Sequence, residues 1–224
     1  MKSISRLLII LALSVTISAC NTIKRTKVEE FTVNMHSPQI TIGEVEFQFE
    51  TLAGLGKLKK QNASVLYFLK EDAICLKYKH EFYTYYQFWN KRGRLNFINA
   101  LQKYNEDYDA RDLQNNNNKS MYKYGTVRSY LVWQMSNFTV QARANMNIEL
   151  GYSFKDKSPY FTIHQRGAEY NDDRSSENNK IVSPSITMYF TRAQAAELST
   201  LFEDYTIRNE IPGEHQELPA QDPY

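Results

Sequence analysis

Residues 138–152 read FTVQARANMNIELGY, and the alternation within them decides the fold class. Phe138, Val140, Ala142, Ala144, Met146, Ile148, Leu150 and Tyr152 are apolar or aromatic, whereas Thr139, Gln141, Arg143, Asn145, Asn147, Glu149 and Gly151 are not. Successive side chains of a strand point to opposite faces, so a strict period of two marks a half-buried β-strand. At ~3.3 Å per residue this stretch would reach roughly 50 Å, beyond the usual strand length, which predicts a bend or break at the small pair Ala142 and Ala144.

A second pattern lies upstream. Ile40 and Ile42 share even parity, Val45, Phe47 and Phe49 are odd, and Gly43 stands at the change. A β-bulge there keeps both sets on one core face. Further strand-like runs occupy 64–69, 73–80, 82–88, 126–135, 160–166 and 185–190, several of them apolar on both faces, as expected for strands covered by helices on one side. Asn90 is a fitting N-cap for a helix carrying Leu95, Ile98, Leu101, Tyr104 and Tyr108. Thr191 with Gln194 forms a capping-box pattern ahead of Ala195, Leu198, Leu201, Phe202 and Tyr205.

The expected fold is therefore α+β: an antiparallel, β-rich domain with two amphipathic helices. At an offset of 101, Trp89 matches Phe190, Asn90 matches Thr191, Lys91 matches Arg192, Phe97 matches Leu198, Leu101 matches Phe202 and Tyr104 matches Tyr205. That correspondence suggests two ββββα repeats, 38–109 and 125–207. The order of elements is similar to the Whirly and Pur-repeat folds, whose members bind single-stranded nucleic acid. The likeness is one of topology, with no shared motif, and fold alone does not give function.

The N-terminus supplies an address. Lys2 and Arg6 precede an apolar run at 7–18, too short for a permanent span, and Ile17-Ser18-Ala19-Cys20 resembles the bacterial lipobox. The resemblance implies a signal peptide at 1–19, cleavage before Cys20 and lipid on its thiol and new amino group. Two or more acyl chains give lasting attachment to a bilayer. The expected organisation is then a lipidated tether at 20–37, a single domain at 38–207, and a disordered acidic tail at 208–224. Asn21, where an acidic residue would favour inner-membrane retention in some bacteria, leans toward the outer membrane.

Processing also alters the charge. The whole chain has 27 Lys+Arg and 25 Asp+Glu; loss of Lys2 and Arg6 balances them at 25 each. The middle of the chain, 57–128, remains basic, with 14 Lys+Arg against 7 Asp+Glu. A basic face toward anionic lipid or a wall polymer would follow if these residues share a surface. A location outside the cytoplasm argues against a nucleic-acid ligand. With Cys20 lipidated, Cys75 has no disulfide partner and reads as a buried, inert thiol.

Motifs of catalysis are few. No His-Glu-x-x-His or Gly-x-Ser-x-Gly occurs, the four histidines are scattered, and Asp107, Asp109 and Asp112 lack the glycine of a calcium loop, so no metal and no cofactor is expected. Glu81, His164 and Arg166 are the residues an unrecognised enzyme would draw on. The aromatic run 82–89 offers Tyr83 and Tyr85, with nearby Lys91, Arg92 and Arg94, as a stacking and cationic surface for a sugar, a wall polymer or a protein partner. The function expected is that of a lipid-anchored envelope protein with a non-catalytic binding domain, the alternative being a small-ligand module with an aromatic pocket.

Overall fold

The structure is a computed structural model that describes residues 31–50, 57–114, 121–135, 141–170 and 181–210. The signal segment, Cys20, Phe138, Val140 and the tail from 211 onward lie outside the described residues.

In chain order the elements are β1 (Gln39–Glu50), β2 (Leu58–Phe68), β3 (Ala73–His80), β4 (Tyr83–Asn90), α1 (Lys91–Asp109), β5 (Tyr122–Met135), β6 (Gln141–Lys155), β7 (Ser158–Gln165), β8 (Ala168–Tyr170), β9 (Ile181–Ser183), β10 (Ile186–Phe190), α2 (Arg192–Phe202) and α3 (Asp204–Glu210). The sheet closes into a barrel in the order β1-β10-β7-β6-β5-β4-β3-β2, and β8 and β9 form a separate two-stranded ribbon. The architecture is thus mostly antiparallel β with a few helices, as expected, but the closure is an addition.

β6 places Ala142, Met146, Ile148, Leu150 and Tyr152 in the core and turns Gln141, Arg143 and Asn147 to solvent. It runs unbroken through Ala142 and Ala144, so the expected break is absent; the tilt of strands in a closed barrel accommodates long ones. The register of β1 against β2 shifts between Thr41 and Gly43, so Ile42 and the set Val45, Phe47 and Phe49 all reach the interior. At the bulge a side chain on Gly43 would meet Leu201 of α2 at 2.9 Å, so glycine also sets how closely that helix approaches. The inner face holds the main apolar cluster, and the outer face of β2 to β5 carries a second, smaller one. No helix among the described residues is long and apolar enough to cross a membrane.

Both helices start as expected. The Asn90 side chain accepts from the Gly93 N–H, and Thr191 with Gln194 completes a capping box. Their buried faces meet the barrel in an aromatic cluster: Phe97 of α1 lies 4.9 Å from Phe202 of α2 and 5.4 Å from Phe161 of β7, and Trp89 of β4 lies 5.3 Å from Phe202. Inside the barrel, Tyr78 and Gln87 both donate to Gln165 Oε1, Trp89 donates to Gln87, and the Gln165 amide donates to Ser183 of β9. This chain satisfies polar groups that would otherwise be buried without partners.

The second apolar face of β2, β3, β4 and β5 is covered by something other than a helix. Residues 31–37, expected as part of a tether, pack as a strap over Leu66, Phe68, Cys75, Phe88, Tyr130 and Val132, burying Val33 among them. Ser37 donates to Glu71 at 2.6 Å, and the Leu69 N–H donates to the Pro38 carbonyl at 3.2 Å. At its other end the domain reaches Glu210, three residues into the stretch expected as tail.

Cys75 is fully buried beneath this strap, and burial pushes its thiol well above its ordinary value. An Ellman titration should therefore find Cys75 unreactive in the native protein and reactive in urea; Val33→Asp, which puts a charge under the strap, should make it reactive without denaturant. Equal native labelling in both proteins would show that the strap does not guard the thiol.

Candidate functional site

The residues grouped beforehand as one binding surface do not share a face. Tyr85 is fully buried in the lumen, stacked on Tyr78 at 5.3 Å, because odd positions of β4 point inward; Tyr83 points the same way and is half-buried. Arg94 is 1% exposed. Its Nη1 donates to the Asp72 carbonyl at 2.9 Å, and Nη2 donates to Asp72 Oδ1 at 2.9 Å and Asp204 Oδ1 at 3.1 Å. Lys91 is drawn to Asp204 at 2.6 Å, and Arg92 is exposed. Lys91 and Arg94 therefore fasten α3 and the β2–β3 turn to the start of α1. A hollow of about 220 Å³ beside them is lined by Tyr67, Asp72, Lys91, Asp204, Ile207 and Arg208.

The residues considered for catalysis are likewise divided. His164 Nδ1 lies 2.8 Å from Thr187 Oγ1, and its Nε2 is 3.5 Å from Ser185 Oγ, whose hydroxyl donates to the Gln165 carbonyl at 3.1 Å. Thr187 thus occupies the place a carboxylate would need to orient the ring. Arg166 pairs with Glu149, which also accepts from Lys123 at 2.6 Å; the Lys123 bond is the larger cause holding this carboxyl below its usual range. Glu81 sits in the β3–β4 turn at φ +53 and joins neither group. No cluster of three or more His, Cys, Asp or Glu suited to a metal occurs among the described residues.

A larger depression, about 470 Å³, opens where α1 ends, lined by Tyr108, Asp109, Arg111, Leu113 and Pro159. Its shape follows from the exit of the helix. Asp109 is the last residue of α1, Arg111 takes φ +60, and the Asp112 N–H returns to the Asp107 carbonyl at 2.8 Å. The chain then doubles back, with the Gln114 N–H donating to the Tyr152 hydroxyl at 3.1 Å. Tyr104 fixes the opposite wall by donating to the Pro159 carbonyl at 3.1 Å.

Arg192, the first residue of α2, organises the rim. Its guanidinium lies 4.4 Å from the centre of the Tyr108 ring, donates to both Asp109 carboxylate oxygens at 2.8 and 3.3 Å, and reaches Asn105 at 3.1 Å. A planar fork on a carboxylate and an aromatic face suits arginine better than lysine. Tyr108 keeps 39% exposure, so its ring remains available to a ligand. Nearby, Tyr122 and Tyr152 stack at 4.7 Å, and Tyr124 donates to Asp107 at 2.9 Å. Asp107 is held below the ordinary carboxylate value chiefly by its bond from Lys103, while burial raises Tyr124.

This arrangement offers an aromatic surface beside fixed charges, which is equipment for binding polar, ring-shaped ligands. The helical stripe in the sequence includes Tyr108, but nothing in it joins Tyr108 to Asp109, and Arg192 lies 83 residues from Asp109 in the chain.

A family model described as uncharacterised Treponema protein matches residues 15–209. The chain belongs to that family. No curated protein and no solved structure matches it. For this Treponema family, the depression at the end of α1 is the candidate site that the geometry itself supplies.

Proposed function

We propose that this protein is a lipid-anchored resident of the bacterial envelope whose barrel is a non-catalytic binding domain, with the depression at the end of α1 as its ligand site and a saccharide unit of a wall polymer as the occupant. One observation carries the reading of the site: Arg192 braces the half-exposed Tyr108 ring and the Asp109 carboxylate in a single fixed unit within a hollow of about 470 Å³. A sugar presents an apolar face of C–H groups to an aromatic ring and hydroxyls to charged side chains, and pockets of this order of size, a few hundred Å³, bind small ligands. The anchor rests on the lipobox pattern ending at Cys20, which the family match includes.

The two halves also fit a duplication. Both helices are capped by the residue after a terminal aromatic, Asn90 after Trp89 and Thr191 after Phe190, and each cap accepts from the N–H three residues on. The equivalent pairs Phe97 with Leu198 and Leu101 with Phe202 are all buried. The likeness to Whirly and Pur-repeat folds remains one of element order.

Two measurements test the proposal. Cys20→Ser should shift the protein from the membrane to the soluble fraction, and full retention in the membrane would overturn the anchor. Titration with soluble muropeptides should give saturable binding that Tyr108→Ala weakens by at least tenfold, about 1.4 kcal/mol. Binding unchanged by Tyr108→Ala, or no binding at millimolar ligand, would remove this site.

A further inference from the structure

The outer face of β3, β4, β5 and the first half of β6 carries no carboxylate: Ala73–His80, Tyr83–Asn90 and Tyr122–Met135 contain no Asp or Glu, and β6 reaches its first at Glu149. It does carry Lys77, Lys79, Arg128 and Arg143, all exposed. None of the four pairs with a carboxylate among the described residues, whereas Lys60, Lys91, Lys103, Lys123 and Arg192 all do. Along the sheet, the acids nearest by register are Glu149, diagonal to Arg128 and already paired with Lys123 and Arg166, and Glu44, in the row of Lys77 but two strands away; Glu71 and Asp72, in the β2–β3 turn, are engaged by Ser37 and Arg94.

Register places these cations together. Lys77 lies opposite Tyr86, Tyr86 opposite Val132, and Val132 opposite Arg143, so one row crosses four strands. At a strand spacing of about 4.8 Å its ends are roughly 14 Å apart. The Lys77 ammonium stands 5.6 Å from the centre of the Tyr86 ring, and Arg143 meets the Tyr130 hydroxyl. Lys79 lies in the next row on this face, opposite Thr84, and Arg128 lies two rows to the other side, opposite Asn147, beyond the row of Cys75, Phe88 and Tyr130.

The strap of residues 31–37 crosses this same face, over Cys75, Phe88, Tyr130 and Val132. Only residues 21–30 separate it from Cys20, so the chain can extend at most about 40 Å between lipid and strap. We propose that this face is the surface on which the domain rests against anionic phospholipid headgroups. The inference rests on the lipid-anchor reading but not on the ligand site. Four to eight clustered basic residues are the usual size of a patch that recognises an anionic bilayer, and a tether this short raises the local concentration of headgroups enough for a weak patch to engage.

The test uses the full chain, purified from bacterial membranes and reconstituted into vesicles of phosphatidylcholine alone or with one-quarter phosphatidylglycerol. Acetylation rates at Lys77 and Lys79 are read by mass spectrometry after flotation. The expected result is a rate about fivefold or more lower on the anionic vesicles, restored by 0.5 M NaCl and largely restored by Arg128→Gln with Arg143→Gln. Equal rates on both vesicles, with the protein floating on both, would overturn the inference while leaving the anchor intact. Protection that survived salt and the arginine variant would also overturn it. Flotation with neither vesicle would remove anchor and patch together; flotation and protection on anionic vesicles alone would support the patch and remove the anchor.

Discussion

Phe97→Ala should lower the unfolding free energy by about 3–5 kcal/mol, the range for emptying a buried aromatic site, seen as a fall in the urea midpoint at unchanged slope. Phe97 is fully buried and touches rings from three separate elements, Trp89 at 6.1 Å, Phe161 at 5.4 Å and Phe202 at 4.9 Å. Those neighbours are fixed by a strand end, a strand interior and a second helix, so none can move in without disturbing its own element, and the cavity stays open. Leu95→Ala on the same helix should cost no more than about 0.5 kcal/mol, since that side chain is 52% exposed. A larger penalty for Leu95 than for Phe97 would mean that α1 docks by its other face.

That contrast also shows how far the sequence could be read. The apolar stripe through Leu95, Ile98 and Leu101 placed the helix correctly but rotated it, because the buried set includes Gly93 and Arg94 beside Phe97, Ala100, Leu101 and Tyr104. A hydrophobicity pattern gives no weight to a glycine or an arginine. The partners that make Arg94 a core residue are Asp72 and Asp204, which sit 22 and 110 residues away. Strands fared better, since the period of two and the parity change at Gly43 are written in neighbouring residues. Barrel closure was invisible for the opposite reason. It depends on β1 meeting β10, with Gln48 opposite Tyr189, and no local signal encodes that meeting.

The strap and the site were missed in the same way. Phe31, Val33 and Met35 do alternate, but so short a run beside charged residues reads as linker until the exposed apolar row of β2 to β5 is known to need a cover. Tyr83 and Tyr85 looked like a surface because a strand apolar on both faces gives no hint of which face is the lumen. At the end of α1, Tyr108 and Asp109 become a site only when Arg192 arrives from the second half of the chain.

The second large effect concerns Arg94. Replacing both its carboxylates, Asp72→Asn with Asp204→Asn, should destabilise the protein by about 3 kcal/mol, the lower end of what breaking a buried ion pair costs. The asymmetry lies in exposure: the Arg94 side chain is 2% accessible, whereas those of Asp72 and Asp204 are 52% and 43% accessible. Arg94→Met leaves two carboxylates that water can reach and fills the space with apolar atoms, so its penalty should be smaller than that of the double variant. The double Asn variant instead strands a cation away from water. It also removes the charge from the acceptor of Tyr67, which donates to Asp72 at 3.1 Å and whose hydroxyl is pushed up to about 12 by burial first and Asp72 second.

The effect carries a pH signature. Asp204 sits below the ordinary carboxylate value, through the bond from Lys91 first and then that from Arg94. A depressed carboxylate contributes stability that is present above its unfolded value, near pH 4, and lost as pH falls through the folded value. The gap between wild type and the double Asn variant should therefore be constant from about pH 5 to 8 and narrow below about pH 4. Urea titrations at pH 7 and pH 3 decide it. A gap that stayed equal at both, or a double variant more stable than Arg94→Met at pH 7, would show that the guanidinium is held by its backbone bond to Asp72 and by packing rather than by the two carboxylates.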